Sequence, residues 1–305
     1  MSALGLCRIW GLRWFPIVRA GDVQGVQKIE FLPQADEVRA SNLEEDPTPN
    51  QRKYPPIGFF LFENAEVTVN TRLSSVLFEN KMVLPEAAAA GPWKIAYKPE
   101  SGGVLYEKNS KVLVRPLIGP VIQKRAIYVG SWSPHNWFHW LVDTLPSIYF
   151  ANMLSAEFDD FPVLIPETVL NNASWFEPLR LVLGGREVRP LPVNQYLSVE
   201  RLVWITSPTS PGPAPKLPAG EPLFSMHGNA MKLFVRHLID ELALDPPSSE
   251  RGNRLFLTRG PSAKRPYNED ELVEISESFG FRPILLAEMS FRESVEVLAT
   301  AEAVI

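Results

Sequence analysis

The chain has one cysteine, Cys7, among its 305 residues. A single thiol excludes an intramolecular disulfide framework and any zinc site built on several cysteines. It is typical of a protein kept in a reducing compartment, which favours the cytoplasm. A fold without disulfides depends on its core, and this length is sufficient to bury a sizeable core in each of two ordinary domains.

Long apolar runs are also missing. No segment reaches the roughly 18–20 uninterrupted apolar residues that a membrane span requires. The apolar residues 1–20 are interrupted by Arg8, Arg13 and Arg19, which argues against a signal sequence as well as a span. Peripheral contact of this segment with a membrane stays open as an alternative.

Basic charge is in deficit rather than in excess. The chain carries 30 Lys and Arg residues against 35 Asp and Glu residues, a formal net charge of -5 with a pI near 5.6. This balance argues against a general nucleic-acid binder. The hydrophobic content of 45% and the charged content of 21% are typical of a soluble globular protein.

Composition divides the chain into four predicted segments. Residues 1–56 are predicted to be loop-rich or poorly ordered, because proline, asparagine and acidic residues concentrate in 33–56. Residues 57–206 are predicted to form a first Rossmann-like domain that begins with β-hairpins. Residues 207–222 contain six prolines in sixteen positions and predict a stiff linker. Residues 223–305 are then a partial second Rossmann-like domain.

Short apolar strands alternate with helices in both halves, which predicts an α/β fold with parallel, doubly wound sheets. The first half has predicted strands at 125–130, 161–166 and 201–206, with helices at 136–154 and 174–185. The second has predicted helices at 223–244, from 268 and at 290–301, with strands at 254–259 and 282–286. Residues 301–305 read as the start of a further strand, so the second sheet is expected to be incomplete and the chain truncated.

The most distinctive stretch is HNWFHWLVDTLP, residues 135–146. If it is helical, His135, His139 and Asp143 share one face. It follows a predicted strand, and ligands of open α/β sheets bind beyond the carboxyl ends of the strands. A carboxylate can orient a histidine and raise its basicity, and such a pair can take a proton from an alcohol. The flanking tryptophans offer a flat face for a sugar or a base.

Two other interpretations of this stretch stay open. In one, His139 and Trp140 are half-buried packing residues and Asp143 satisfies a neighbouring donor. In the other, His135, His139 and Asp143 bind a metal, although no completing ligand is evident elsewhere. The remaining histidines, His227 and His237, are expected to be structural or exposed.

A second candidate site follows the predicted strand 254–259. Arg259, Lys264 and Arg265 crowd the next loop, and Asn268 with Glu271 resembles a capping box at a helix start. Cationic side chains beside the free N–H groups of a helix N-terminus predict a diphosphate site. The alternative is a solvated basic turn. The stretch has no Gly-x-Gly-x-x-Gly or Walker pattern, so neither a nicotinamide nor a P-loop enzyme is indicated.

Two facing Rossmann-like halves, with an acceptor site on the first and a nucleotide diphosphate on the second, describe a GT-B glycosyltransferase. The residues resemble one family of such enzymes. HNWFHWLVDTLPSIYF resembles the Asn-aromatic-x-His-Trp-x-x-Asp-x-Leu-Pro signature of family 61 glycosyltransferases, also labelled capsular polysaccharide biosynthesis proteins. The stretch from RLFLTRG to the end resembles the same family's Thr-Arg, basic loop and Asn-Glu pattern. The likeness covers about 125–305.

This resemblance implies a GT-B fold and inverting transfer of a sugar from a nucleotide donor, commonly UDP-linked, to a hydroxyl of a glycan or protein. It also implies no tightly bound metal or other cofactor. Arg259 matches the arginine near the donor diphosphate, and Asn268 and Glu269 match the Asn-Glu pair. The family continues into a Gly-x-His-Gly-Ala-Gly-Leu-x-Asn motif, whereas this sequence stops at Ile305, which is the basis for expecting truncation.

The sequence therefore predicts an inverting glycosyltransferase of polysaccharide or glycan biosynthesis. The alternative is a catalytically silent glycan- or nucleotide-binding protein. His139 and Asp143 are the predicted catalytic residues, and which of them is the base stays open. The predicted substrate-binding residues are His135, Asn136 and Trp140, and the predicted donor-diphosphate residues are Arg259, Lys264, Arg265, Asn268 and Glu269.

Overall fold

The protein is a mixed α/β fold with a large mixed sheet and several helices. Its computed structural model describes residues 12–39, 53–67, 76–84, 104–114, 121–130, 136–171, 173–191, 197–211, 224–244, 253–260 and 268–305. The chain divides into two compact units, Met1–Val235 and Arg236–Ile305. This division falls later in the chain than the Pro-rich segment 207–222.

The strands follow one another in chain order through both units. They are β1 (Arg13–Arg19), β2 (Gln27–Leu32), β3 (Ala35–Arg39), β4 (Lys53–Tyr54), β5 (Ile57–Val67), β6 (Val76–Phe78), β7 (Lys81–Leu84), β8 (Val104–Lys108), β9 (Lys111–Val114), β10 (Val121–Tyr128), β11 (Val163–Pro166), β12 (Val188–Leu191), β13 (Leu197–Ile205), β14 (Thr209–Pro211), β15 (Phe224–His227), β16 (Asn253–Leu257), β17 (Phe281–Ile284) and β18 (Ala301–Val304).

The helices are mostly short. They are α1 (Trp137–His139), which continues through a π-helical turn (Trp140–Thr144) into α2 (Leu145–Ala151), then α3 (Glu167–Leu170), α4 (Ala173–Val182), α5 (Gly228–Glu241), α6 (Glu269–Ser278) and α7 (Phe291–Ala299). Three-residue 3₁₀ turns lie at Ala20–Asp22, Ala156–Phe158 and Leu286–Glu288.

Counted over the described residues, the main sheet of the first unit has eleven strands, of which β12, β11, β10 and β13 lie side by side and parallel. This is the parallel portion that the alternation of strands and helices predicted. Beyond β13 the sheet becomes mixed, because β13 pairs antiparallel with β5, and β5 pairs antiparallel with β2 and β6. Of the hairpins predicted at the start of this domain, the one from residues 103–118 is present as β8–β9, where two strands joined by a tight turn pair antiparallel. The hairpin β6–β7 lies in a stretch for which no strand was predicted.

Large aromatic side chains of adjacent strands form the core at the centre of this sheet. Trp204 of β13 lies beside Tyr128 of β10 on one side and Phe60 of β5 on the other. The Trp204 ring centroid is 6.1 Å from that of Phe60 and 6.2 Å from that of Phe62, and all four side chains are buried. Burial of each such ring stabilises the fold by about 1.5–3 kcal/mol. The ends of β5, β10 and β13 are therefore held firmly beside one another.

Among the described residues a second sheet has four strands, in the order β14-β15-β3-β4. The secondary structure of the predicted N-terminal and linker segments differs from the sequence prediction in three ways. Segment 1–56, predicted to be loop-rich, contains β1 to β4. Strand β14 lies inside the predicted linker 207–222, and the helix predicted from 223 begins with β15. Because β14 is at the edge of its sheet, Pro211 can occupy it without removing an interior ladder hydrogen bond.

The second unit confirms most elements predicted from 254 onwards. Its three parallel strands have the order β17-β16-β18, with α6 between β16 and β17 and α7 between β17 and β18. Helix α7 begins with a capping box, in which Ser290 and Glu293 each bond the other's backbone N–H. Residues 301–304 form β18, as their apolar pattern predicted.

Candidate active site

The candidate active site lies where β10 and β13 end side by side. These strands are parallel, and Tyr128 at the end of β10 pairs with Trp204 near the end of β13. The chain after β10 leads to α1, which carries His139. The chain after β13 makes a turn, residues 206–208, that leads into β14, whose first residue is Thr209. Because both carboxyl ends meet at one edge, two segments far apart in sequence come together there.

Local sequence explains the unusual helix at this edge. The Asn136 side chain caps its start, accepting a hydrogen bond of 2.9 Å from the Phe138 backbone N–H. Pro146 lacks an N–H, and its ring would clash with the carbonyl one α-helical turn earlier. The helix widens to a π-turn just before Pro146 rather than breaking there, and Ser147 Oγ donates to the Asp143 carbonyl at 2.8 Å. Asp143 lies within this turn, and π-turns are frequent at functional sites.

His139 and Asp143 form the pair that the sequence predicted. His139 Nδ1 lies 2.7 Å from Asp143 Oδ2, and the His139 side chain is 20% exposed whereas that of Asp143 is 4% exposed. A carboxylate accepts hydrogen bonds, so Nδ1 carries the proton and Nε2 is the basic nitrogen of the neutral ring. The buried carboxylate therefore orients a more exposed imidazole.

Thr209 completes this arrangement, and the sequence prediction missed it. Its hydroxyl donates a hydrogen bond of 2.5 Å to Asp143 Oδ1, and the Thr209 side chain is buried. Thr209 lies in the segment that proline content assigned to a linker. One feature of the sequence could have indicated Thr209. It follows the strand predicted at 201–206, and that strand was expected to end at the same sheet edge as the strand predicted at 125–130.

The environment of Asp143 acts on its charge in opposite directions. Burial raises the pKa of Asp143, whereas the hydrogen bonds from His139 and Thr209 and the charge of His139 lower it, and burial has the larger effect. Within the part of the chain that the structure describes, His139 is the ionisable group whose positive charge, when its ring is protonated, lowers the pKa of this carboxyl. The hydrogen bonds from His139 and Thr209 therefore favour the ionised form of the Asp143 carboxyl, which accepts both of them.

A buried aromatic side chain and an exposed one lie next to the His139–Asp143 pair in the sequence. Trp140, predicted to bind substrate, is 0% exposed and stacks on Trp175 with ring centroids 5.8 Å apart, so it supports the helix from the interior. Its Nε1 has no hydrogen-bond partner among the described residues. Phe138 is instead 51% exposed, and its ring lies 5.4 Å from the His139 ring. Phe138 is therefore an exposed aromatic ring in contact with the histidine.

Of the other residues considered in the sequence of this region, the structure gives a separate account of Asn136 and of His227. Asn136 is exposed, and its side-chain oxygen caps the helix. His135 lies outside the described residues. His227 is structural, as predicted: its Nδ1 accepts from the Ala230 N–H at 3.1 Å and its Nε2 donates to the Pro33 carbonyl at 2.9 Å.

The predicted diphosphate site lies in the second unit, and the structure changes the role of Glu269. The Glu269 carboxylate accepts hydrogen bonds from the backbone N–H groups of Arg259 and Gly260, at 2.6 and 3.2 Å. Gly260 has φ +69°, which turns both N–H groups towards one acceptor, as in an anion-binding nest. A carboxylate would repel a diphosphate, so Glu269 shapes this loop rather than binding a diphosphate.

Asn268 does not form the predicted capping box with Glu271. Its side chain makes no cap hydrogen bond and instead donates to Glu271 Oε2 at 2.6 Å. The Glu271 carboxylate is thereby engaged with the Asn268 amide group rather than with its backbone N–H. Arg259 is exposed at the end of β16, whereas Lys264 and Arg265 lie outside the described residues.

A sequence comparison extends these observations to known proteins. The family model described as Glycosyltransferase 61 matches residues 137–305, more than half of the chain. The chain belongs to glycosyltransferase family 61. This confirms the resemblance drawn from the two motifs, and the match begins at the first residue of α1. No curated protein matches the chain.

As a family 61 member, the protein is a glycosyltransferase, which acts on a sugar donor and an acceptor. Among its described residues, no group of three or more His, Cys, Asp and Glu side chains could hold a metal ion. The same residues contain no helix long and apolar enough to cross a membrane.

Proposed function

We propose that this glycosyltransferase is an inverting enzyme of the GT-B type. Its donor is a nucleotide sugar, UDP-linked, and its acceptor is a hydroxyl of a glycan or protein in polysaccharide or glycan biosynthesis. The observation that carries the proposal is the 2.7 Å contact between His139 Nδ1 and Asp143 Oδ2 at the carboxyl edge of parallel strands. A histidine oriented in this way is suited to deprotonate an alcohol.

His139 is the base in this proposal, and Asp143 orients it. Asp143 is buried, and both of its carboxylate oxygens accept hydrogen bonds from protein donors. His139 is the more exposed member, and its proton on Nδ1 makes Nε2 the atom that accepts the proton of the acceptor hydroxyl. This geometry supports one of the two assignments that the sequence left open.

The proposed reaction is a single displacement. His139 Nε2 takes the hydroxyl proton while the acceptor oxygen forms a bond to the anomeric carbon of the donor. The bond from that carbon to the diphosphate oxygen breaks on the opposite face, and the nucleoside diphosphate leaves with the electron pair. The anomeric configuration is therefore inverted.

Phe138 is the proposed contact for the acceptor sugar. It is exposed and lies against the His139 ring, whereas Trp140, the tryptophan predicted from the sequence to bind substrate, is buried. An aromatic face holds the apolar face of a sugar ring, which would place the adjacent hydroxyl beside the base. Phe138→Ala should therefore raise the KM for the acceptor more than it lowers kcat, whereas Phe138→Tyr should change neither greatly.

Arg259 is the proposed contact for the donor diphosphate, assisted by Lys264 and Arg265. Its exposed guanidinium follows β16, and a planar donor group of this kind matches phosphate oxygens. Its charge would stabilise the departing diphosphate. The proposal assigns Glu269 to the shape of the Arg259–Gly260 turn, because its carboxylate already accepts from both backbone N–H groups.

Titration calorimetry with UDP, and separately with GDP, tests the donor assignment. We expect UDP binding that Arg259→Ala abolishes. Arg292→Ala is the matched control, since Arg292 is also an exposed arginine of the second unit and pairs with Glu296 on α7. Equal loss of binding in both variants would contradict a specific role for Arg259.

Product analysis tests the reaction itself. Incubation with a panel of α-linked UDP-sugars and glycan acceptors, followed by proton NMR of the anomeric signals, should show β-linked products. Products that retain the donor configuration would contradict a single displacement. Binding of UDP without turnover of any acceptor would favour the catalytically silent alternative.

A further inference from the structure

We propose that Thr209 is a positioning residue for the His139–Asp143 pair and, through it, for the proton transfer. Its hydroxyl fixes one carboxylate oxygen so that the other faces the histidine. This inference rests on the proposed role of His139 as the base. It concerns a residue 66 positions away from Asp143, in a different element of the fold.

The two oxygens of Asp143 have separate partners. Oδ2 contacts His139 Nδ1 at 2.7 Å, and Oδ1 accepts from Thr209 Oγ1 at 2.5 Å. A carboxylate held at one oxygen can still rotate about its terminal torsion, which has a broad energy profile. A donor on the second oxygen fixes the carboxylate plane, and with it the direction of the hydrogen bond to the imidazole.

The Asp143 carboxylate and Ser207 together define the direction in which the Thr209 hydroxyl donates. Ser207 Oγ lies 3.2 Å from Thr209 Oγ1 and accepts from the Thr209 backbone N–H at 3.3 Å. An ionised carboxylate can only accept, so the Thr209 proton lies towards Asp143 and its oxygen accepts from Ser207. The hydroxyls form a short chain that ends on the carboxylate.

The turn that leads to Thr209 is anchored at each of its three residues, 206–208. Thr206 Oγ1 accepts from the Gly58 N–H at 2.8 Å, and Thr206 N–H donates to the Gly58 carbonyl at 3.0 Å. The Tyr54 hydroxyl donates to the Ser207 carbonyl at 3.0 Å, and the His227 N–H donates to the Pro208 carbonyl at 2.8 Å. Thr209 is thus held in place by strands β4, β5 and β15 before any substrate binds, which is the requirement for a preorganised site.

The chemical consequence concerns the charge of Asp143. Burial raises the pKa of this carboxyl, and the Thr209 donor is one of the interactions that lowers it. Without the hydroxyl, Asp143 should take up a proton at a higher pH and lose its hold on the Nδ1 proton of His139. The acidic limb of the activity profile would then move towards neutral pH.

The decisive experiment compares Thr209→Val with Thr209→Ser by nitrogen-15 NMR of the histidine rings. The chain has four histidines, so the spectrum is sparse, and His139→Asn assigns the relevant signals. In Thr209→Val, which keeps the shape and loses the hydroxyl, the pH at which the His139 ring reports protonation of Asp143 should rise by about one pH unit. Thr209→Ser keeps the donor and should restore the wild-type midpoint.

Thr206→Val is the comparison variant, because it removes a buried threonine hydroxyl from the turn before Thr209 without touching Asp143, while the Thr206 N–H bond to the Gly58 carbonyl still holds that turn. We expect it to lower thermal stability and to move the midpoint much less than Thr209→Val does. If Thr209→Val does not fold, Thr209→Ala provides a second variant without the hydroxyl. An unchanged midpoint in the folded variant, or equal shifts in the Thr209 and Thr206 variants, would overturn the proposal.

The NMR measurement needs no substrate, so it separates this inference from the proposed function. A raised midpoint in Thr209→Val supports the positioning role even if His139→Asn leaves turnover unchanged, a result that would overturn only the assignment of His139 as the base. Conversely, loss of turnover in His139→Asn together with an unchanged Thr209→Val midpoint would overturn only the role of Thr209.

Discussion

At position 143 the protein buries a carboxylate whose surroundings disfavour its charge. The side chain is 4% exposed, and burial raises its pKa more than its two hydrogen-bond donors lower it. Buried carboxylates of this kind cluster at active sites, because a site that orients a base often does so at a cost in stability. The presence of a buried carboxylate at position 143 is better explained by the chemistry of its pair with His139 than by a contribution to the stability of the fold.

The stability of Asp143→Asn should show this cost directly. A folded-state pKa above the unfolded value means that the folded protein keeps the proton at pH values where the unfolded chain has lost it, so stability falls as pH rises through that interval. We expect Asp143→Asn to raise the free energy of unfolding at neutral pH. The gain should shrink as the pH is lowered towards 3.8, the ordinary value for aspartate.

Urea denaturation of both proteins across this pH range provides the measurement. Asn retains the size of the side chain, and the same preparation can be assayed for turnover, which should fall. An Asp143→Asn protein that is less stable than wild type by the same amount at every pH would show that the carboxylate is not a net cost.

At the scale of elements, the close approach of strand β2 to strand β5 depends on a glycine. A Cβ atom at Gly58 would lie 2.0 Å from the Ile29 carbonyl oxygen of β2, far inside contact distance. The backbone of Gly58 also holds Thr206 in the turn that leads to Thr209. One glycine therefore serves both the sheet and the candidate site.

Gly58→Ala should destabilise the protein by about 3 kcal/mol, because backbone must move to admit the methyl group. Gly25→Ala is the control: Gly25 has φ +76° and no atom within 4 Å of the added Cβ, so only conformational strain of about 1 kcal/mol is expected. Denaturant unfolding of the two variants measures the difference. Equal losses would show that β2 can shift at little cost.

At the scale of the whole molecule, the residues proposed for the two halves of the reaction lie in separate compact units. His139 is in Met1–Val235 and Arg259 is in Arg236–Ile305. The family match spans residues of both. Proton transfer and donor binding should therefore respond to different substitutions.

We expect His139→Asn to lower kcat by roughly 10²–10⁴-fold, the usual contribution of a general base, and to leave the Kd for UDP unchanged. Arg259→Ala should instead weaken UDP binding. Steady-state kinetics and calorimetry on the same two proteins check both expectations. Equal losses of UDP affinity in the two variants would contradict the separation of roles.

Local patterns in the sequence were sufficient for several features of this protein. Alternating apolar segments predicted β10, β11, β13 and the strands and helices from 254 onwards, because burial of one face imposes a period that neighbouring residues carry. The His139–Asp143 pair also followed from local spacing, since residues four apart share a helix face. The two motifs that carry the family resemblance are contiguous stretches for the same reason.

Only the tertiary structure decided which distant groups meet. Thr209 reaches Asp143 because β10 and β13 are parallel neighbours. The proline-containing segment 209–211 forms β14 because it pairs with β15 at the edge of a sheet. Trp140 is buried and Phe138 exposed because packing against Trp175 selects one face of the helix. Glu269 lies on the Arg259–Gly260 amides because the residues that follow β16 and the first residue of α6 meet there. Strand pairing and packing join residues across tens of positions, and a local period carries no information about such partners.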